Sequence, residues 1–258
     1  MSDKYCFWSV ADGQYGKMME SVIKSARNVD IDTDFHIWSD QNINGSVTHQ
    51  SGTFDKNAYL FKFHFLKNEV SKLNYDYFIF IDADSYFVRK PDNILKVLYG
   101  SPVHICMESD CTLLTNKRPD WWGCLLPKYC QLMKFAGVRS KAIYNTNAGF
   151  WIVHHDVIDT FYELGMNFWN LCKNNGCYKF TEEPPLAYIG HMLMGNPYIH
   201  TLRENTDIWA SDWIGWYNNR LPDGKEFEFE DYMSGNKIRV NPYLVHCMRS
   251  KNCLLKGI

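Results

Sequence analysis

The sequence contains no Cys-x-x-Cys, no Gly-x-Gly-x-x-Gly and no Gly-x-x-x-x-Gly-Lys-Ser/Thr. Zinc-ribbon, thioredoxin-like, dinucleotide-fingerprint and P-loop chemistries therefore have no spacing to rest on. Basic residues are not in excess: 27 Lys and Arg face 29 Asp and Glu, and no basic run stands out. That balance offers no field for a nucleic-acid backbone or an anionic membrane. No apolar run approaches the roughly 18 residues of a bilayer span. The opening MSDKYCFWSVADG has no basic segment followed by a long apolar one, and reads as a first strand, not a secretory leader. The expectation is a protein of the cytoplasm, bacterial or viral, with neither signal peptide nor transmembrane segment. Its nine cysteines, an odd count, are then reduced, buried thiols. Repeats, low-complexity tracts and linkers are missing as well.

What is present is a regular alternation of strand and helix. Tyr5–Val10 is short, aromatic and β-branched, and Ala11-Asp12-Gly13 closes it. From Gln14 to Val29, Met18, Met19, Val22, Ile23 and Ala26 recur at helical spacing. Asp34–Asp40 reads as a second strand. Asp55 to Leu73 reads as a helix with Leu60, Phe63, Leu66, Val70 and Leu73 on one stripe. Further strands are expected at 103–107, 149–153 and 243–245, and a helix at 157–174. Strand–helix alternation at this spacing implies parallel pairing and an α/β sheet covered on both faces. One domain over 1–258 is expected, with a nucleotide-binding half at 1–110 and an acceptor-binding half and closing tail at 111–258.

Within this pattern FIFIDADSYFVRKPD (78–92) is the most unusual stretch. An apolar strand, Tyr77–Ile81, runs into two aspartates one residue apart. Placed together, Asp82 and Asp84 repel, so a cation is the natural occupant. Ligands of open α/β sheets sit at the carboxyl ends of strands, and alternation on a strand points both side chains the same way. Two carboxylates suit a hard divalent ion, Mn²⁺ or Mg²⁺, which keeps coordination sites for phosphate oxygens. The ordinary reading of such a pair is a solvated turn. Haloacid-dehalogenase-like phosphohydrolases also end an apolar strand on Asp-x-Asp, but on their first strand and with Thr or Val two places later. Here two strand–helix units precede the pair and Tyr86 fills that position.

With these residues in view, LFKFHFLKNEVSKLNYDYFIFIDADSYFVRKPDNIL (60–95) resembles the core of GT-A-fold glycosyltransferases, the glycogenin-like group above all and more distantly the blood-group A/B transferases. Lys62, Asp82, Asp84 and Asp92 match that family's Lys, Asp-x-Asp and following Asp in order. NTNAGFWIVHHDV (145–157) is similar to its Asn-Ala-Gly strand, TEEPPLAY (181–188) to its acidic pair, and LVHCMRSK (244–251) to its closing segment. The chain departs from the family where Pro184, Pro185, Leu186 and Ala187 follow the acids in place of Gly-x-Leu-Asn, and where Arg249 replaces a glycine. The resemblance implies a single GT-A (Rossmann-like) α/β domain with a mostly parallel central sheet flanked by helices. It also implies a hexosyl- or pentosyltransferase that uses a nucleotide sugar.

The same resemblance implies roles. Asp82, Asp84 and His246 would hold the metal, and Arg249 and Lys251 would meet the diphosphate. Asn147, Ala148 and Gly149 would lie beside the donor sugar, with Lys62 and Ala83 nearby. Trp8, Ser9 and Val10 on the first strand, and Asp40 after the second, would form the floor for base and ribose by the strand-end rule. Glu182 and Glu183 would carry the chemistry, retention being favoured. Their ordinary reading is helix-start chemistry, with Thr181 as cap, acids in the first turn and proline beside them. A UDP-sugar is expected over a GDP-sugar, with a glycan or glycoprotein as acceptor. A phosphohydrolase and a non-catalytic sugar-binding module are the alternatives. Trp209, Trp213 and Trp216 recur at helical spacing, which favours core packing over sugar stacking; Trp121 and Trp122 form another aromatic pair.

Overall fold

The computed structural model describes residues 3–50, 58–114, 120–121, 123–177, 181–201, 208–211, 227–230 and 237–247. It is a mixed α/β fold whose principal sheet is mostly parallel and flanked by helices. The chain divides into two compact units, each built from separated segments: 1–53, 77–97 and 205–258 form the first, 54–76 and 98–204 the second.

In the first unit β1 (Tyr5–Val10), α1 (Gln14–Asn28), β2 (Phe35–Trp38) and β3 (Val47–His49) precede β4 (Tyr77–Ile81). The order β3-β2-β1-β4 is parallel throughout, with Phe7 opposite Phe35 on one side and Ile79 on the other. A strand covered on both faces reads as a continuous apolar run, and YFIFI and FHIW are such runs. Helix α1 buries the stripe expected of it, Met18, Met19, Val22, Ile23 and Ala26. It begins at Gly13, whose φ of 51° lies in the region that favours glycine, so the chain can reverse out of β1 there.

The rest of this unit is a smaller sheet. β5 (Ser85–Phe87) pairs antiparallel with a late strand at Leu244–His246. Ser25 of α1 accepts the Phe87 N–H at 2.9 Å, which fixes β5 under that helix. The tail is anchored by Arg89: its guanidinium lies over the Tyr243 ring at 3.6 Å, and its Nη2 donates to the Asn241 carbonyl.

The second unit contains α2 (Ala58–Asn68), β6 (Val103–Asp110) and α3 (Cys111–Leu114), then the hairpin of β7 (Asp120–Trp121) and β8 (Cys124–Leu125). It continues with α4 (Leu126–Phe135), β9 (Tyr144–His154), α5 (Ile158–Asn174) and α6 (Glu183–Leu193). β6 and β9 run antiparallel, an exception to the parallel pairing expected from the alternation. The helix expected to reach Leu73 ends at Asn68, and Val70–Lys72 continues as a tighter 3-10 turn. Glycines allow the close approaches: a Cβ on Gly165 of α5 would stand 2.6 Å from Phe63 of α2, and one on Gly190 of α6 would stand 2.1 Å from Met107 of β6.

The expected irregular tail is strand-rich where described: β10 (Trp209–Ser211), β11 (Phe227–Glu230), β12 (Lys237–Val240) and β13 (Leu244–His246). Trp209 therefore sits on a strand, not on the helix its spacing with Trp213 and Trp216 suggested; those two lie outside the described residues.

Candidate metal centre and acidic helix start

Asp82 and Asp84 do not alternate along a strand as expected. β4 stops at Ile81, and the pair occupies the turn into β5, closed by the Ser85 N–H donating to the Asp82 carbonyl at 3.2 Å. Ile81 closes the run of buried apolar side chains along β4. A turn reaches what strand alternation was invoked for, two carboxylates at a strand's carboxyl end. Asp84 is buried, Asp82 is half-buried and Ala83 between them is buried.

β13 brings the third group. It pairs with β5 in the register Ser85–His246 and Phe87–Leu244, and the Cys247 N–H donates to the Asp84 carbonyl at 2.6 Å. His246 Nε2 then lies 2.9 Å from Asp84 Oδ1 and 3.7 Å from Asp82 Oδ2. β10 flanks β13 in parallel, and the Trp209 ring stacks on the imidazole with centroids 5.5 Å apart. One ligand atom from each of Asp82, Asp84 and His246 falls within 4.8 Å of the others, and no other group of described residues has metal-holding spacing. The donor set, two carboxylates and an imidazole converging on one point, fits a divalent cation. Arg249 and Lys251 lie outside the described residues.

The other first-unit candidates divide. Trp8 and Ser9 are buried and Val10 is half-buried, and the Trp8 ring packs edge-on against Phe80. Asp40 is exposed, and its Oδ1 accepts the Gly13 N–H at 3.1 Å, tying the exits of β2 and β1 together. Asp92 accepts from the Tyr243 hydroxyl at 3.3 Å, a second hold on the tail before β13.

In the second unit the acidic pair does begin a helix. Glu182 occupies the N-cap position of α6, and Thr181 Oγ1 accepts the Glu183 N–H at 3.3 Å, so the threonine supports the cap from one residue earlier than expected. Both acids are buried. Lys62 Nζ stands 2.5 Å from Glu182 Oε1, an ion pair largely withdrawn from solvent. Glu183 is held differently: Trp121 Nε1–H donates to its Oε2 at 3.2 Å, and the Ala148 N–H donates to its Oε1 at 3.3 Å. The Asn147-Ala148-Gly149 stretch lies inside β9, where Asn147 Oδ1 accepts the Gly149 N–H at 2.9 Å.

Trp121, read from the sequence only as one of an aromatic pair, is the site residue whose role sequence reasoning missed. It is buried, edge-on to Tyr129, and serves as a donor to the acid instead of offering a sugar-stacking face; Trp122 lies outside the described residues. A buried indole N–H needs a partner, and that requirement was the available signal.

No protein-family model and no curated protein matches the chain. Among solved structures it is similar to the galactosyltransferase LgtC, crystallised in complex with donor and acceptor sugar analogues. The TM-score is 0.55 at 11% identity, over 98% of this chain and 95% of that one. At such identity the likeness establishes a shared fold along nearly the whole length of both chains.

Proposed function

We propose that this protein is a metal-dependent glycosyltransferase, moving a hexose or pentose from a nucleotide sugar to a glycan or glycoprotein. The observation that carries the reading is the convergence of Asp82, Asp84 and His246 at the carboxyl end of β4, in a fold shared with a sugar transferase. These three residues would hold Mn²⁺ or Mg²⁺, which when bound supplies positive charge for a departing diphosphate. UDP is favoured over GDP as the carrier, and the glycogenin-like resemblance favours retention.

Glu183 is the proposed catalytic carboxylate. Its two oxygens accept N–H groups from Trp121 and Ala148, so its orientation is set before any substrate arrives. In the retaining reading it faces the anomeric carbon and stabilises an oxocarbenium-like centre; in an inverting reaction it would take the acceptor proton. Glu182, neutralised by Lys62, takes the supporting role.

The test is a screen of nucleotide sugars with and without Mn²⁺, followed by turnover with candidate acceptors. A true donor raises the melting temperature only when metal is present, because a ligand that binds the native state alone stabilises it. Release of nucleoside diphosphate that depends on acceptor supports transfer. Release of inorganic phosphate without any sugar transfer would instead favour the phosphohydrolase.

A further inference from the structure

Three cysteines of the second unit meet where the β7–β8 hairpin packs near the end of α5. Cys124 stands at the start of β8, Cys172 in the last turn of α5, and Cys177 just beyond that helix. The Sγ atoms of Cys124 and Cys177 are 2.7 Å apart, although 53 positions separate them in the chain. Cys172 also hydrogen-bonds Cys177 through its side chain. The backbone fixes this arrangement. Gly176, with φ of 79°, turns the chain back so that the Cys177 N–H donates to the Cys172 carbonyl at 3.2 Å, the usual way a glycine closes a helix. Cys124 is buried, whereas Cys177 is only partly buried.

We propose that Cys124 and Cys177 form a reversible dithiol–disulfide site, with Cys177 the attacking sulphur and Cys124 the resolving one. The metal reading does not apply: among the described residues only Asp82, Asp84 and His246 have metal-holding spacing. Hydrogen bonds from the Cys124 and Cys172 thiols, with the Lys128 ammonium beside them, hold Cys177 well below the usual thiol range. Cys130, also partly buried, is pushed up to about 11 by burial and by Asp110, and so serves as an internal control.

The co-reactant is a low-molecular-weight disulfide such as glutathione disulfide. The Cys177 thiolate attacks one of its sulphurs and expels one glutathione thiolate, leaving a mixed disulfide. Cys124 then loses its proton and attacks the Cys177 sulphur, and the second glutathione leaves. The protein pair is oxidised by two electrons, one glutathione disulfide is reduced to two thiols, and the two thiol protons pass to them. The bond closes beside the candidate acid, because Cys124 pairs with Trp121 across the β7–β8 hairpin and Trp121 holds Glu183.

The full chain is equilibrated with glutathione disulfide at neutral pH, acid-quenched, alkylated and mapped without reduction by mass spectrometry. The expected result is loss of two hydrogens and a peptide pair joining residues 124 and 177, reversed by reduced glutathione. In a parallel experiment on the reduced protein, iodoacetamide at about pH 6 should label Cys177 at least about tenfold faster than Cys130. In Cys124→Ser the glutathione adduct should persist on Cys177; the wild-type map stands even if that variant fails to fold. A link through Cys172, a lasting glutathione adduct in the wild type, no reaction, or equal labelling of Cys177 and Cys130 would each overturn the proposal. All these readouts are masses, so their outcome is independent of whether sugar transfer is found.

Discussion

His246 Nε2 lies 2.9 Å from Asp84 Oδ1, across 162 positions of sequence. The contact is made by strand register: Ser85 pairs with His246, so the turn carrying the aspartates faces the tail's imidazole. Replacing Asp84 with Asn should lower Mn²⁺ affinity at least about tenfold while apo stability is kept or slightly raised, since repulsion from Asp82 is relieved. His246→Ala should lower the affinity comparably. Calorimetric titration of Mn²⁺ into each variant decides; wild-type affinity in both would remove these residues from the metal site.

Glu183→Gln keeps the side chain's size but turns one acceptor into an N–H₂, so either Trp121 or Ala148 faces a donor. Turnover should fall by orders of magnitude while donor affinity changes only a few-fold. Trp121→Phe keeps the ring and deletes the N–H. It should reduce turnover about tenfold with little change in donor affinity, as expected for a group that only orients the acid. Steady-state kinetics on both variants, with calorimetric donor binding, checks the ranking; an unaffected Glu183→Gln would reduce the pair to a helix start.

Lys62 and Glu182 form an ion pair with side chains 13% and 5% exposed. Lys62→Met leaves a buried carboxylate uncompensated and should cost about 3–5 kcal/mol. Adding Glu182→Gln should recover much of that loss. Urea unfolding of the two single variants and the double variant measures the coupling, and additive losses would mean that the pair does not interact.

Acid should weaken the fold before its carboxylates titrate fully. Burial lowers His200 to about 4, and burial likewise lowers His191 to about 4. The unfolded chain binds these protons from about pH 6.5 and the native chain only near 4, so stability falls across that window as pH drops. His200 is fully buried, its Nδ1 2.9 Å from that of His104. Urea midpoints at several pH values between 7 and 4.5 should decline, and less steeply in His200→Gln.

Gly165→Ala should destabilise more than Gly190→Ala. The added methyl at 165 meets the ring of Phe63, held between α2 and α5, whereas at 190 it meets the flexible ends of Met107 and Met194. Melting temperatures of the two variants settle the order.

The alternation of strands and helices was legible in the sequence because it rests on local spacing. YFIFI announces a strand buried on both faces, and Met18, Met19, Val22, Ile23 and Ala26 announce the buried stripe of α1. The Asp82–Asp84 pair was legible for the same reason, since two charges directly after an apolar run are a local anomaly. Which groups join them was not. The meeting of His246 with Asp84, Lys62 with Glu182, Trp121 with Glu183 and Cys124 with Cys177 depends on strand register and helix packing between distant segments. Even the turn that carries the aspartates is seen only in the tertiary structure, where β4 ends at Ile81 and β5 pairs with β13. Local periodicity sets the elements, and the partners of a buried polar group are chosen only when those elements pack, because leaving such a group unsatisfied costs more than any single local preference supplies.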